Sequence, residues 1–230
     1  MRTARTLSVL TILVGVLGAG CSGNPASPKP AAPTLAANDT PTNAAARLVG
    51  SYEQKNQGAF AGMLTGDFNF EFSTSTDPTL VQQYPTGWFR VDESESSSHL
   101  FSGYTPQGGA ALPAATSIVI TLADSTPSDD NTSGVDPATH KVLATRVDGS
   151  ITVPQTGSEP LTYVIGNNYD VFYFVRGDVA AGLDETQPAD AQHWYLYKWV
   201  DQTQNYIPRP NSRGIFTQNT SWGLLKAFYR

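Results

Sequence analysis

The chain has 230 residues, with 20 acidic against 14 basic side chains, a formal net charge of −6 and one cysteine. Such a chain lacks the basic footprint that nucleic acid or other phosphate polymers require. A lone cysteine excludes an intrachain disulfide framework, so the fold must be held by its core.

The N-terminal stretch reads as an export signal. Arg2 and Arg5 are followed by the apolar run Leu7 to Leu17, which is too short to span a bilayer as a helix. Small residues at Gly18, Ala19 and Gly20 then lead to Cys21. This layout resembles the lipobox of bacterial lipoproteins, with one departure. The family prefers Leu three residues before the cysteine, where this chain has Gly18, and Leu17 stands one place further out. The resemblance implies cleavage before Cys21 and lipidation of its sulfur, palmitate included. It places the protein in the bacterial cell envelope, anchored on the extracytoplasmic side of a membrane. One acyl chain binds a membrane marginally and two or more hold it stably. Loss of residues 1–20 removes Arg2 and Arg5 and takes the net charge to about −8.

Residues 21–42 comprise the cysteine and a Pro/Ala-rich tether, SGNPASPKPAAPTLAANDTPT. This composition buries no core and favours extended conformations, reaching roughly 60 Å at ~3.1 Å per residue. Residues 43–230 fit one domain. Thr40 or Thr42 with Pro41 starts a helix. Ala45, Leu48, Val49 and Tyr52 form its core-facing stripe, and Gln57-Gly58 ends it. Phe60, Met63 and Leu64 predict a short second helix closed by Gly66.

Periodicity then changes to two, with Phe68, Phe70 and Phe72 on one face and Asn69 and Glu71 on the other. A loop with Pro78, Pro85 and Gly87 leads to a helix over Asp92 to Phe101, which Gly103 ends. Further strands are expected at Ser117–Ala123, Lys141–Val153, Leu161–Ile165, Asp170–Arg176 and His193–Val200. Thr220 to Tyr229 reads equally as a strand or a short helical turn. Helices followed by antiparallel strands give an α+β fold.

The segment LVGSYEQKNQGAFAGMLTGDFNFEFS resembles the opening of NTF2-like (cystatin-like) domains, and DVFYFVRGD and HWYLYKWVD follow in the expected order. The resemblance spans roughly Thr42 to Asp201 and implies N-terminal helices packed on a strongly curved antiparallel sheet. Surplus length is assigned to loops near 124–139 and 183–192 and to the tail after 201. Folds of this kind often enclose a conical pocket suited to a small apolar ligand. The candidate lining is Tyr52 with Tyr195, Tyr197 and Trp199, alternate residues of one strand. The rival reading makes that stripe plain core.

Ketosteroid isomerases and polyketide cyclases of this fold use a carboxylate base with hydroxyl donors. Asp67 matches the acidic residue opening the first strand. The isomerase's catalytic aspartate would fall near Phe72, which carries no proton acceptor. Tyr52 would be a donor without its base, unless Asp170 or Asp201 supplied one. Asp129, Asn131, Ser133 and Gly134 match half of a calcium loop, but Pro137 and His140 stand where its later ligands belong, so a solvated hairpin loop is expected. His99, His140 and His193 are too scattered for a metal site. No cofactor motif is present.

The resulting expectation is a lipid-anchored extracytoplasmic binding or interaction module, non-catalytic, with a small apolar ligand and no nucleic-acid partner. The alternatives are a pocket enzyme of the isomerase or cyclase type, and a structural surface lipoprotein that forms a homodimer through its sheet. Pocket geometry separates them. An open pocket with a buried carboxylate beside a tyrosine favours the enzyme, and a pocket closed by aromatic rings excludes both pocket readings.

Overall fold

A computed structural model describes residues 33–75, 77–123, 126–203 and 217–230. Cys21, the signal segment and most of the tether lie outside them. The compact unit runs from Pro33 to Arg230. Residues ahead of the first helix are bonded to the rest of this unit: the Asn38 side chain donates to the Trp194 carbonyl at 3.0 Å, and Gln54 donates to that of Pro33 at 2.8 Å.

Helix α1 (Pro41–Glu53) starts as expected. Thr40 caps it by accepting from the Asn43 N–H, and Pro41 occupies the first turn, where its missing N–H costs nothing. Ala45, Leu48 and Tyr52 are buried, and Val49 packs at the margin. The helix ends earlier than expected, because Lys55 adopts a left-handed φ of 52° and Asn56 caps a new start. Gln57-Gly58 therefore opens α2 (Gln57–Ala61) instead of closing α1. Met63 lies beyond α2, and Leu64 and Gly66 already belong to strand β1 (Leu64–Glu71).

In and just after β1, Phe68, Phe70 and Phe72 are buried while Asn69 and Glu71 are not. The proline loop contains α3 (Pro78–Gln83) and the two-residue β2 (Trp88–Phe89). Helix α4 (Arg90–Ser102) opens where the Phe89 N–H donates to the Asp92 carboxylate, and stops at Gly103, whose φ of 81° suits glycine.

The strands that follow are β3 (Ser117–Leu122), β4 (Ser128–Asp129), β5 (His140–Gln155), β6 (Ser158–Arg176), β7 (Trp194–Asp201) and β8 (Thr217–Asn219). The two segments expected at 161–165 and 170–176 are one continuous strand, β6. The main path through the sheet is β2-β1-β7-β6-β5-β3. β1 pairs parallel to β7 and β8 parallel to β6, and every other pair is antiparallel. Register shifts interrupt the long β5–β6 ladder and the β6–β7 pairing, as strands that bend require. The fold is α+β, with helices covering the inner face of this curved, mostly antiparallel sheet.

β6 is long enough to have two neighbours on one edge. Asp170–Arg176 pairs with β7, and Thr162–Val164 pairs with β8. The chain then turns into a helix, α5 (Trp222–Phe228), which resolves the ambiguity of the 220–229 segment. Among the described residues, no helix is long and apolar enough to cross a membrane.

Candidate functional site

The interior of the domain is closed by α5. Ser221 caps this helix by accepting from the Leu224 N–H at 3.0 Å, and its hydroxyl donates to Asp77 Oδ2 at 2.8 Å. The next position must be small. A Cβ on Gly223 would stand 2.9 Å from Asp77 Oδ2 and 3.0 Å from the Phe72 ring. Farther along, the Ser96 hydroxyl donates to the Lys226 carbonyl at 2.8 Å, and His99 Nδ1 lies 2.8 Å from the Tyr229 carbonyl. The Tyr229 hydroxyl donates to the Pro113 carbonyl at 3.0 Å, and Arg230 pairs with Asp92.

This seating places two side chains of α5 in the centre of the molecule. The Trp222 ring lies near-parallel to Trp199, centroids 5.8 Å apart and 22° between planes, and Tyr52 meets Trp222 edge-on at 5.1 Å. Lys226 Nζ lies 2.8 Å from Glu93 Oε1, and both side chains are buried. The ammonium stands 3.5 Å from the Trp199 ring centroid and 3.8 Å from that of Phe70. The Tyr52 hydroxyl donates to the same Glu93 oxygen at 3.2 Å.

Two further carboxyls border this cluster. Asp170 and Asp201 are register partners on β6 and β7, and both are buried. Asp201 Oδ1 accepts from the Thr203 N–H at 2.9 Å. Asp170 makes no hydrogen bond of regular geometry among the described residues, and the Trp199 side chain is the donor that approaches it. Burial pushes the Asp170 carboxyl well above the usual carboxylate range, the Asp201 charge adds to the push, and Lys226 opposes it. Burial also raises Asp201. It lowers the Lys226 ammonium, against the pull of Glu93, Asp170 and Asp201. Burial and Glu93 together raise Tyr52 well above 10.0, so it is a neutral donor.

Of the expected lining residues, Tyr52 and Trp199 meet around Trp222. Tyr195 and Tyr197 do not join them. A register irregularity between β6 and β7 places Leu196 opposite Phe174 and Lys198 opposite Tyr173, which leaves Tyr197 unpaired. Strict alternation along the strand is thereby lost. Tyr197 donates to Asp130 Oδ2 at 2.7 Å and meets Tyr173 and His140 edge-on, while Tyr195 donates to the Pro188 carbonyl at 3.0 Å. Asp130, within the half calcium loop, is thus a partner of Tyr197. No group of three or more metal-ligating side chains occurs among the described residues.

Glu93 and Lys226 are absent from the sequence reading. Their signals are spacing signals. Glu93, Ser96, Ser97 and Leu100 follow i, i+3, i+4, i+7 on α4, and all are buried. Lys226 lies four residues after Trp222, on the same helix face.

The space left between α1, the sheet and Trp222 is about 10 Å³, lined by Leu48, Tyr52, Phe172, Trp199 and Trp222 among others. That is room for about one water molecule, so no substrate fits there. A buried carboxylate sits beside a tyrosine, but aromatic rings close the space around them, so the interior as it stands excludes both pocket readings. Open concavity exists elsewhere. A groove of about 600 Å³ between the β5–β6 hairpin and α5 is lined by Pro113, Val153, Leu161, Tyr163, Phe228 and Tyr229, with others. A second hollow of about 320 Å³ shares Tyr163 and Phe228 with it. Phe228 is 52 % exposed and Leu224 48 %.

No family model and no curated protein matches the chain. Solved structures similar to it include an NTF2-like protein of unknown function in nutrient uptake from Rhodospirillum rubrum, at 11 % identity and TM-score 0.42 over 72 % of this chain and 98 % of that one. An NTF2-like superfamily protein from Salmonella enterica is similar at 8 % identity and TM-score 0.41, over 75 % and 93 %. A domain of unknown function with a cystatin-like fold from Nostoc punctiforme is similar at 7 % identity and TM-score 0.36, over 71 % and 75 %.

Proposed function

We propose that this protein is a lipid-anchored, extracytoplasmic binding module without catalytic activity, and that it takes an apolar ligand in the groove beside α5. The observation that carries this reading is the filled interior. Trp222 and Lys226 occupy the space a pocket substrate would need, and the residual cavity is about 10 Å³. Among the described residues, solvent reaches a groove of about 600 Å³, where Tyr163 and Phe228 supply rings and Pro113, Val153 and Leu161 supply aliphatic surface. The Cys21 anchor would hold this groove near a membrane, a source of apolar ligands.

One observation favours a pocket enzyme: Glu93, a buried carboxylate, accepts from Tyr52. The same Glu93 oxygen is already paired with Lys226. A base held by an ammonium and sealed behind a tryptophan abstracts no proton, so this second reading requires α5 to leave.

The test is a titration of the full chain with an anilinonaphthalene fluorophore. Saturable binding that weakens about tenfold in Phe228→Glu, with the melting temperature unchanged, is the expected result. Equal binding by the variant overturns the groove. Binding accompanied by quenching of the buried tryptophans would point to the interior instead.

A further inference from the structure

We propose that the interior of this domain is a binding site for a primary alkylammonium group, closed in this structure by the chain's own Lys226 as a tethered occupant. The proposal is independent of the groove, which shares none of the cage residues.

Lys226 Nζ has the surroundings of a bound cation. It lies 3.5 Å from the Trp199 centroid, 3.8 Å from Phe70 and 5.6 Å from Trp222. Aromatic faces around a desolvated cation attract it through the ring quadrupole. Glu93 Oε1 adds an ion pair at 2.8 Å. Asp170 adds a second buried carboxyl within electrostatic reach of Lys226. Packing alone does not call for this arrangement, since a well-packed apolar side chain in place of a buried ion pair is commonly neutral or stabilising.

The distances define the class of ligand. An N-methyl group between nitrogen and a ring would push the nitrogen to about 5 Å from the ring face, from a C–N bond of about 1.5 Å and carbon contacts near 3.5 Å. At 3.5 and 3.8 Å the two nearest faces admit –NH₃⁺ and exclude a quaternary head. A guanidinium is broader than the ammonium and does not fit the same gap.

The tether explains why the site is closed. An occupant on the same chain acts at an effective concentration of about millimolar or more, so a dilute free amine does not replace it. Shortening Lys226 exposes the site.

The experiment uses the full chain carrying Lys226→Ala, melted with n-butylammonium, 1-butanol or tetramethylammonium at constant ionic strength. The variant melts below wild type, and millimolar n-butylammonium restores its melting temperature at about one-tenth of the concentration 1-butanol needs. Tetramethylammonium has no effect. Equal rescue by butanol, equal rescue by tetramethylammonium, or no rescue of a folded variant each overturns the proposal. Should Lys226→Ala not fold, wild type decides by NMR. Ring currents shift the Lys226 ε-methylene protons strongly upfield, and ordinary lysine positions overturn the cage.

Discussion

Trp222 on α5 lies against Trp199 on β7, with ring centroids 5.8 Å apart and planes 22° from parallel. Through this contact the helix becomes part of the core it covers. Trp222→Ala removes a fully buried indole and should cost about 3–5 kcal/mol of unfolding free energy in denaturant titration. It should also admit an apolar probe to the interior. A loss below about 1 kcal/mol would mean that the two rings do not hold α5 in place.

The Glu93–Lys226 pair gives a second prediction. Glu93→Gln leaves a buried ammonium without its counter-ion and should destabilise by about 3–5 kcal/mol. Pairing it with Lys226→Met removes the orphaned charge and should recover most of that loss. A double-mutant cycle measures the coupling, and strictly additive losses would show that the two groups do not act on one another.

Stability should also depend on pH through the buried carboxyls. Burial raises Asp170 well above 3.8, and raises Asp201 in the same direction. In each case the folded state keeps a proton that the unfolded chain releases. The stabilisation is therefore full below the unfolded pKa and lost as pH rises toward the folded one. Asp184 has the opposite sign: Thr186 and Arg90 hold it at about 2, so its contribution disappears as pH falls through the acid range. Asp170→Asn should flatten the decline that sets in above about pH 4 and raise stability at its upper end. Denaturation midpoints across that range check it, and a slope equal to wild type refutes it.

The proposed anchoring rests on Cys21. Cys21→Ser should move the protein from the membrane fraction to the soluble fraction while leaving its melting temperature unchanged. Fractionation of cells expressing both forms decides, and retention of the variant in the membrane removes the anchor from the proposed function.

The sequence disclosed those parts of the molecule that local chemistry dictates. Thr40, Pro41 and Gly103 mark helix ends through caps and φ preferences, and the Phe68–Phe72 alternation marks a buried strand face. What it concealed depends on pairing. The irregularity at Tyr197 breaks alternation in β7, so a stripe that period two predicts is divided between different surroundings. Glu93 and Lys226 become a site only when α4 and α5, 120 residues and more apart in the chain, are brought together. Each alone reads as an ordinary surface charge, because charged residues are rarely buried without a partner.

The stacked indoles also have an optical consequence. Two near-parallel chromophores couple their transitions, and a nearby ammonium and carboxylates perturb their excited states. Seating of α5 should therefore be visible in the circular dichroism of the aromatic bands and in tryptophan emission, with no label attached. The molecule carries its own gauge of whether its interior is shut.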